Sequence, residues 1–170
     1  MDEIINLTNE EASKKLKELT RAINICMFST DIENAEGAIT RPMAVQQTDT
    51  DNFLWFFSSK DSNKNKEISK NNFIQLYFSD PGKSTYVSIT GNAEIVIDDK
   101  QKIEEMWNPL MKTWFQEGKD DPKISLIKVM PVDGYYWDST GNRFTNFFKM
   151  IGSVVSGKDL VGSEEGSLKP

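Results

Sequence analysis

Histidine is absent from the 170 residues, and cysteine occurs once, at Cys26. The first absence removes serine–histidine and cysteine–histidine catalysis, histidine-ligated haem and the imidazole zinc site. The second rules out an intramolecular disulfide and points to a reducing, cytoplasmic compartment. No apolar run approaches the roughly 18–20 residues of a spanning helix, and Met1-Asp2-Glu3 lacks the basic start of a signal peptide. Positive charge is in deficit, with 20 Lys+Arg against 26 Asp+Glu and a net charge of −6. That balance argues against a nucleic-acid partner, and no membrane partner is expected. No repeat with a period of 20–50 residues is visible, which excludes a solenoid or propeller.

The composition that remains, 38% hydrophobic and 27% charged, is that of a globular domain. A chain of this length buries roughly 68–70% of its unfolded surface and holds a core without disulfides or metals. Thr8 and Glu11 form a capping box, and Ala12, Leu16, Leu19 and Ile23 follow at helical spacing. Strands are read at 23–29, 39–47, 53–58, 73–78, 85–97 and 124–137. Pro42 implies an edge or bulge in the second of these, and Gly91 is the bulge point of the long fifth. Polar helical spacing runs over 62–70. Asp98 is read as the cap of a helix carrying Ile103, Met106 and Trp107, and a second helical piece with Met111, Trp114 and Phe115 follows Asn108-Pro109. Phe144, Phe147, Phe148, Ile151, Val154 and Val155 fall on one helical face, with Gly157 as its stop. The expected fold is mainly β with flanking helices, a six-stranded antiparallel sheet that curls and closes into a small barrel. Residues 1–156 form the domain and 157–170 a flexible tail.

The chemistry left to such a chain is sparse. The doublets Asp98-Asp99, Glu104-Glu105 and Asp120-Asp121 point apart and read as surface charge. No loop carries calcium-site spacing, so no metal is expected. Cys26 sits in an apolar strand and reads as an inert thiol. Two clusters are more specific. Arg41-Pro42-Met43 offers a planar guanidinium suited to phosphate where the ladder lacks a donor. Ser58-Ser59-Lys60-Asp61-Ser62-Asn63-Lys64 places hydroxyls and a lysine at a helix start, an anion-binding arrangement. The strands carrying the two clusters are consecutive, so a hairpin is expected to bring them together. Trp55, Phe57, Tyr77, Tyr86, Trp107, Trp114 and Trp137 read mostly as core, with enough of them to flank a flat heterocycle. A barrel this small is too narrow inside for such a ligand, which would lie in an outer groove or between subunits.

The order of these pieces resembles the flavin-binding split barrels related to pyridoxamine 5′-phosphate oxidase, in particular the general stress protein 26 group. The resemblance covers roughly residues 8–140 and rests on several segments. They are Arg41-Pro42-Met43, Leu54-Trp55-Phe56-Phe57-Ser58-Ser59, the Ser62-x-Lys64 helix start, Tyr86 through Glu94, Trp107-Asn108-Pro109, Trp114-Phe115, Gly118 through Pro122, and Tyr136-Trp137-Asp138. It implies a homodimer of six-stranded split barrels with flavin mononucleotide (FMN) in a cleft shared by the subunits. By similarity, Arg41 and Lys64 hold the phosphate and Ser62 adds a hydrogen bond. Backbone at Pro42 and Met43 lies under the ring, and Ser58 and Ser59 reach the ring or ribityl chain. Tyr86 takes the place of a glutamine near the flavin, and Trp137 reaches the flavin from the partner chain. Asn63 stands where the vitamin-processing oxidases carry an arginine, and Arg143 has no histidine to pair with. Pyridoxamine phosphate oxidation and haem degradation are therefore not expected.

The resemblance implies an FMN-dependent oxidoreductase-like stress protein, with hydride or electron transfer carried by the flavin on an unknown small-molecule substrate. No catalytic side chain is assigned. Two alternatives stay open: a flavin-binding stress buffer or sensor without turnover, and a relative preferring the deazaflavin F420, whose polyanionic tail the net charge does not favour.

Overall fold

The computed structural model describes residues 9–138, together with the backbone pairing of three short segments outside them. Helix α1 (Asn9–Ala22) buries Ala12, Leu16 and Leu19, with Ile23 just beyond its end, as the spacing requires. Strands β2 (Ile25–Thr30), β3 (Ile39–Ala44), β4 (Gln47–Thr48) and β5 (Leu54–Ser59) follow. Helix α2 (Asn63–Lys70), β6 (Phe73–Asp80), β7 (Thr85–Ile97), α3 (Lys100–Met106) and β8 (Ile124–Trp137) complete the domain. Three single 3₁₀ turns, at Pro81–Lys83, Pro109–Thr113 and Gly118–Asp120, fill the links. Three small strands lie at the chain ends. Of these β1 (Ile4–Ile5) pairs with β9 (Asn146–Phe147), and β10 (Glu165–Ser167) pairs with the end of β8.

The main sheet runs β3-β2-β6-β7-β8-β5-β4, and every pairing in it is antiparallel. Seven strands are found where six were expected, because the run from Ile39 to Thr48 changes partner midway. The Val45 N–H donates to the Asn24 carbonyl beside β2 (2.7 Å), and the next N–H, at Gln46, donates to Trp55 on β5 (2.8 Å). One bent segment thereby joins the two edges of the sheet and curls it toward closure. Pro42 lies in edge strand β3, where its missing donor breaks no ladder on the open side. The β7–β8 register slips at Thr90/Gly91, as the glycine suggested.

The barrel interior is packed with side chains. Phe28, Phe56, Phe78, Leu54, Leu76, Ile74, Ile89 and Ile127 are fully buried, and Phe28 meets Phe56 edge-on across the barrel at 5.3 Å between ring centres. A flat ligand has no room there, as the sequence implied. A second core lies outside the barrel wall. Alternate residues of β5 and β8, including Trp55, Ile124 and Leu126, pack against Ile103 and Met106 of α3 and against Met111 and Phe115 of the following turn. Half of the outer wall is thus covered by the chain's own helical layer. The other half, made by β3, β2, β6 and the start of β7, exposes Ile25, Met27, Ile39, Tyr77 and Tyr86.

Several local readings are corrected. The cap of α3 is Asp99, whose carboxylate accepts from the Lys102 N–H (2.9 Å), while Asp98 adopts a left-handed φ of 59° one residue earlier. Asp121 is buried, and its carboxylate accepts the Glu117 and Lys123 N–H groups, so that doublet is not simple surface charge. Thr8, Arg143, the aromatic helix over 144–155 and the tail from Gly157 lie outside the described residues. Only Asn146–Phe147 and Glu165–Ser167 are seen, as strand pairs.

Candidate functional site

Arg41 and Lys64 come together at the end of the barrel that α2 closes. Arg41 lies opposite Phe28 in the β2–β3 ladder, so its side chain starts on the inner face and runs along it to the barrel end. There Nη1 donates to Thr30 Oγ1 (2.6 Å), and Nη2 donates to Glu67 Oε2 (2.6 Å). Thr30 Oγ1 also donates to the same carboxylate oxygen (2.6 Å). Lys64 is one helical turn before Glu67 on α2, half-buried, and forms no direct ion pair or hydrogen bond among the described residues. Burial first, and the Arg41 charge second, lower the pKa of its ammonium group, with Glu67 offsetting part of this. Burial opposes ionisation of Glu67, but the Thr30 and Arg41 hydrogen bonds and the charges of Arg41 and Lys64 outweigh it and hold the carboxyl below its usual range.

The expected hairpin is not what joins the two cations. Only Gln47–Thr48 pairs with β5, whereas Arg41 is paired with β2 on the opposite edge of the sheet. Closure of the barrel and the placement of α2 across its end bring the two charges together.

The serines divide between structural and accessible positions. Ser62 is the N-cap of α2, its Oγ accepting from the Asn65 N–H (3.3 Å). Ser58 is buried, and its Oγ donates to Asn65 Oδ1 (2.7 Å), as does Ser62 Oγ (3.0 Å). Asn65 Nδ2 donates to Ser125 Oγ (2.9 Å), which donates to the Ser58 carbonyl (3.1 Å). This closed network fixes the β5–α2 turn on β8. Ser59 is half-buried, opposite Ile124. Met43 packs against the barrel core and Pro42 is exposed on the outer face.

Tyr86 and Trp137 are cross-strand partners on that same outer face, with the Tyr135 ring 4.6 Å from Trp137. They do not join Arg41 within one chain. Pro42 lies on β3, three strands along the sheet from Tyr86 on β7, and Trp137 sits at the end of β8 that pairs with Tyr86 and not with β5. Thr30, Glu67, Asn65 and Ser125 were not singled out from the sequence. The three-residue spacing of Lys64 and Glu67 on a helical segment was the available signal for Glu67; nothing local distinguishes Thr30 or Ser125.

The arrangement can hold an anion. It offers two cations at a helix start, one of them unpaired, beside hydroxyls held in place by Asn65. Among the described residues no cluster of His, Cys, Asp and Glu could hold a metal ion, and no helix is long and apolar enough to cross a membrane.

The chain matches the model of the family described as pyridoxamine 5′-phosphate oxidase like over residues 11–160. It belongs to that family. Protein bli-3 of Neurospora crassa is 26% identical over 141 residues, covering 78% of this chain and 67% of that protein. Among solved structures, a protein of Clostridium acetobutylicum related to general stress protein 26 of B. subtilis is 25% identical, with a TM-score of 0.63 over 76% of this chain and 89% of that one. The general stress FMN/FAD binding protein of Xanthomonas citri is 25% identical, with a TM-score of 0.62 over 90% of this chain and 99% of that one. The split-barrel fold is therefore shared with these solved structures, of which the Xanthomonas citri protein is described as a general stress FMN/FAD binding protein.

Proposed function

We propose that this family member is a cytoplasmic FMN-binding protein in which Arg41 and Lys64 hold the flavin phosphate. The observation that carries the reading is the convergence of these two cations from distant segments on one barrel end, with Lys64 half-buried and without an ion pair among the described residues. A half-buried cation without a partner is costly, and a phosphate supplies the counter-charge. Ser62 caps the helix that carries Lys64, Ser59 ends the strand that leads into it, Ser58 orients the turn between them, and backbone at Pro42 and Met43 follows Arg41 and would support the ring. When bound, FMN supplies hydride or electron transfer; this chain's residues bind it, orient it and limit its contact with water.

The reading includes a homodimer. Among the described residues no contact joins Tyr86 or Trp137 to Arg41. The bare outer face carrying Ile25, Met27, Tyr77 and Tyr86 is the surface through which a second copy would bring them to it. A second reading, flavin binding without turnover, draws support from the hydroxyls of Ser58 and Ser62, both directed to Asn65, which leaves neither available as a proton donor.

Denaturing the purified protein and identifying the released small molecule by mass spectrometry tests the cofactor. Titration of the stripped protein with FMN and with riboflavin tests the phosphate site, and tighter binding of FMN is expected. Equal affinity for the two refutes it. Steady-state reduction by NADH or NADPH in the loaded protein separates the oxidoreductase from the binding module.

A further inference from the structure

Glu67 stands where an anion between Arg41 and Lys64 would stand. Its Oε2 receives the Arg41 Nη2 donor and the Thr30 hydroxyl, both at 2.6 Å, and it is the carboxylate that offsets the charge on Lys64. The side chain is held there, 13% exposed, at the barrel end. Two cations and one carboxylate leave the cluster with one net positive charge. A phosphate monoester carries close to two negative charges near neutral pH. A cluster of one net positive charge under-compensates such a group, and a fixed carboxylate nearby repels it directly.

We propose that Glu67 is a built-in competitor of the ligand's phosphate, an affinity-determining residue that keeps monoester binding weak and exchangeable. The inference rests on the phosphate-site reading above. In the free protein the carboxylate keeps Arg41 ordered and its charge compensated. On binding, the phosphate takes over Arg41 donors from Glu67, and the energy of the lost ion pair is subtracted from the affinity. Asn63, following the helix cap, adds no cation that would restore the balance. The carboxylate therefore discriminates by charge, acting against the doubly charged monoester and leaving a phosphate-free flavin unaffected.

The test uses full-length protein freed of bound small molecules and titrated with FMN and with riboflavin by flavin fluorescence. Glu67→Gln keeps the side chain's shape and removes its charge. FMN affinity is expected to rise by about tenfold or more, with riboflavin affinity unchanged and serving as the check on folding. Glu67→Ala is expected to act in the same direction should the glutamine variant misfold. FMN affinity that stays the same or falls in both variants, while Lys64→Ala weakens FMN and spares riboflavin, overturns the competitor role and leaves the phosphate site standing, with Glu67 a support for Arg41. Equal binding of FMN and riboflavin by the wild type, unaltered by Lys64→Ala, overturns the phosphate site and this inference together.

Discussion

The two cations of the site differ in one respect that an experiment can read. Arg41 is bonded to Thr30 and Glu67, whereas Lys64 has no direct partner among the described residues. Replacing Lys64 by methionine keeps the apolar stem and removes the charge. On the proposed phosphate site, the charge-assisted hydrogen bond that Lys64 would lose is worth about 1.5–3 kcal/mol, a roughly 10- to 150-fold weakening of FMN. At an FMN concentration one hundred times the wild-type Kd, ligand stabilises the wild type by about 2.7 kcal/mol. For a domain of this size that raises Tm by about 5–10 °C. A hundredfold weaker variant gains about 0.4 kcal/mol at the same concentration, an increment of only about 1 °C. The free protein responds the other way. The folded-state pKa of Lys64 is lowered, so its charged form is disfavoured by folding. That cost applies at every pH below the folded value, and removing the charge near neutrality leaves Tm unchanged or higher. Arg41→Met loses the ligand increment too, and it also strands Glu67, lowering the ligand-free Tm by an amount equivalent to about 1–3 kcal/mol. Differential scanning fluorimetry with and without FMN reads both quantities. A ligand-free Lys64→Met protein that melts several degrees below wild type, or one whose FMN increment is intact, refutes the reasoning.

Three further outcomes follow from the packing. The depressed Glu67 pKa means that its pair with Arg41 stabilises the fold above the unfolded value near about 4.3 and is lost as pH falls through the folded value; urea midpoints of wild type and Glu67→Gln should differ at neutral pH and converge under acid, and a constant difference contradicts the assignment. A Cβ on Gly91 would sit 2.6 Å from the Met130 carbonyl oxygen and 3.0 Å from Val129 Cγ1, so Gly91→Ala should cost about 1–3 kcal/mol in chemical denaturation, and a neutral result would mean the bulge is not as tight as described. Burial pushes the Cys26 thiol up to about 12, so a maleimide should label the protein near neutral pH only as fast as it unfolds, and rapid native labelling would place the thiol elsewhere.

The sheet was legible because its strands alternate or end at turn residues that allow few other paths. Asp80-Pro81-Gly82-Lys83 produced the hairpin between β6 and β7, and Gly91 the slip against β8. The count of strands was less legible, because the partner change at Val45/Gln46 depends on which edges the closing sheet brings near, a long-range fact with no local residue signature. The same limit governs the site. Arg41 and Lys64 could be chosen by their neighbours in sequence, since a guanidinium beside proline and a lysine after a helix cap have recognisable local chemistry. Their meeting could not be read correctly, because it depends on barrel closure and not on a hairpin. Glu67 was within reach of helical spacing, but on a helix of mixed charge its one distinguishing feature is Thr30, which arrives from a strand 37 positions earlier. A solvated i,i+3 partner of a lysine and a carboxylate locked to an arginine have the same sequence signature; only burial separates them, and burial is decided by the β2 and α2 surfaces together. The residues that set the charge of this site are therefore the ones a linear reading tends to miss, while those that give it its family resemblance are the ones it finds.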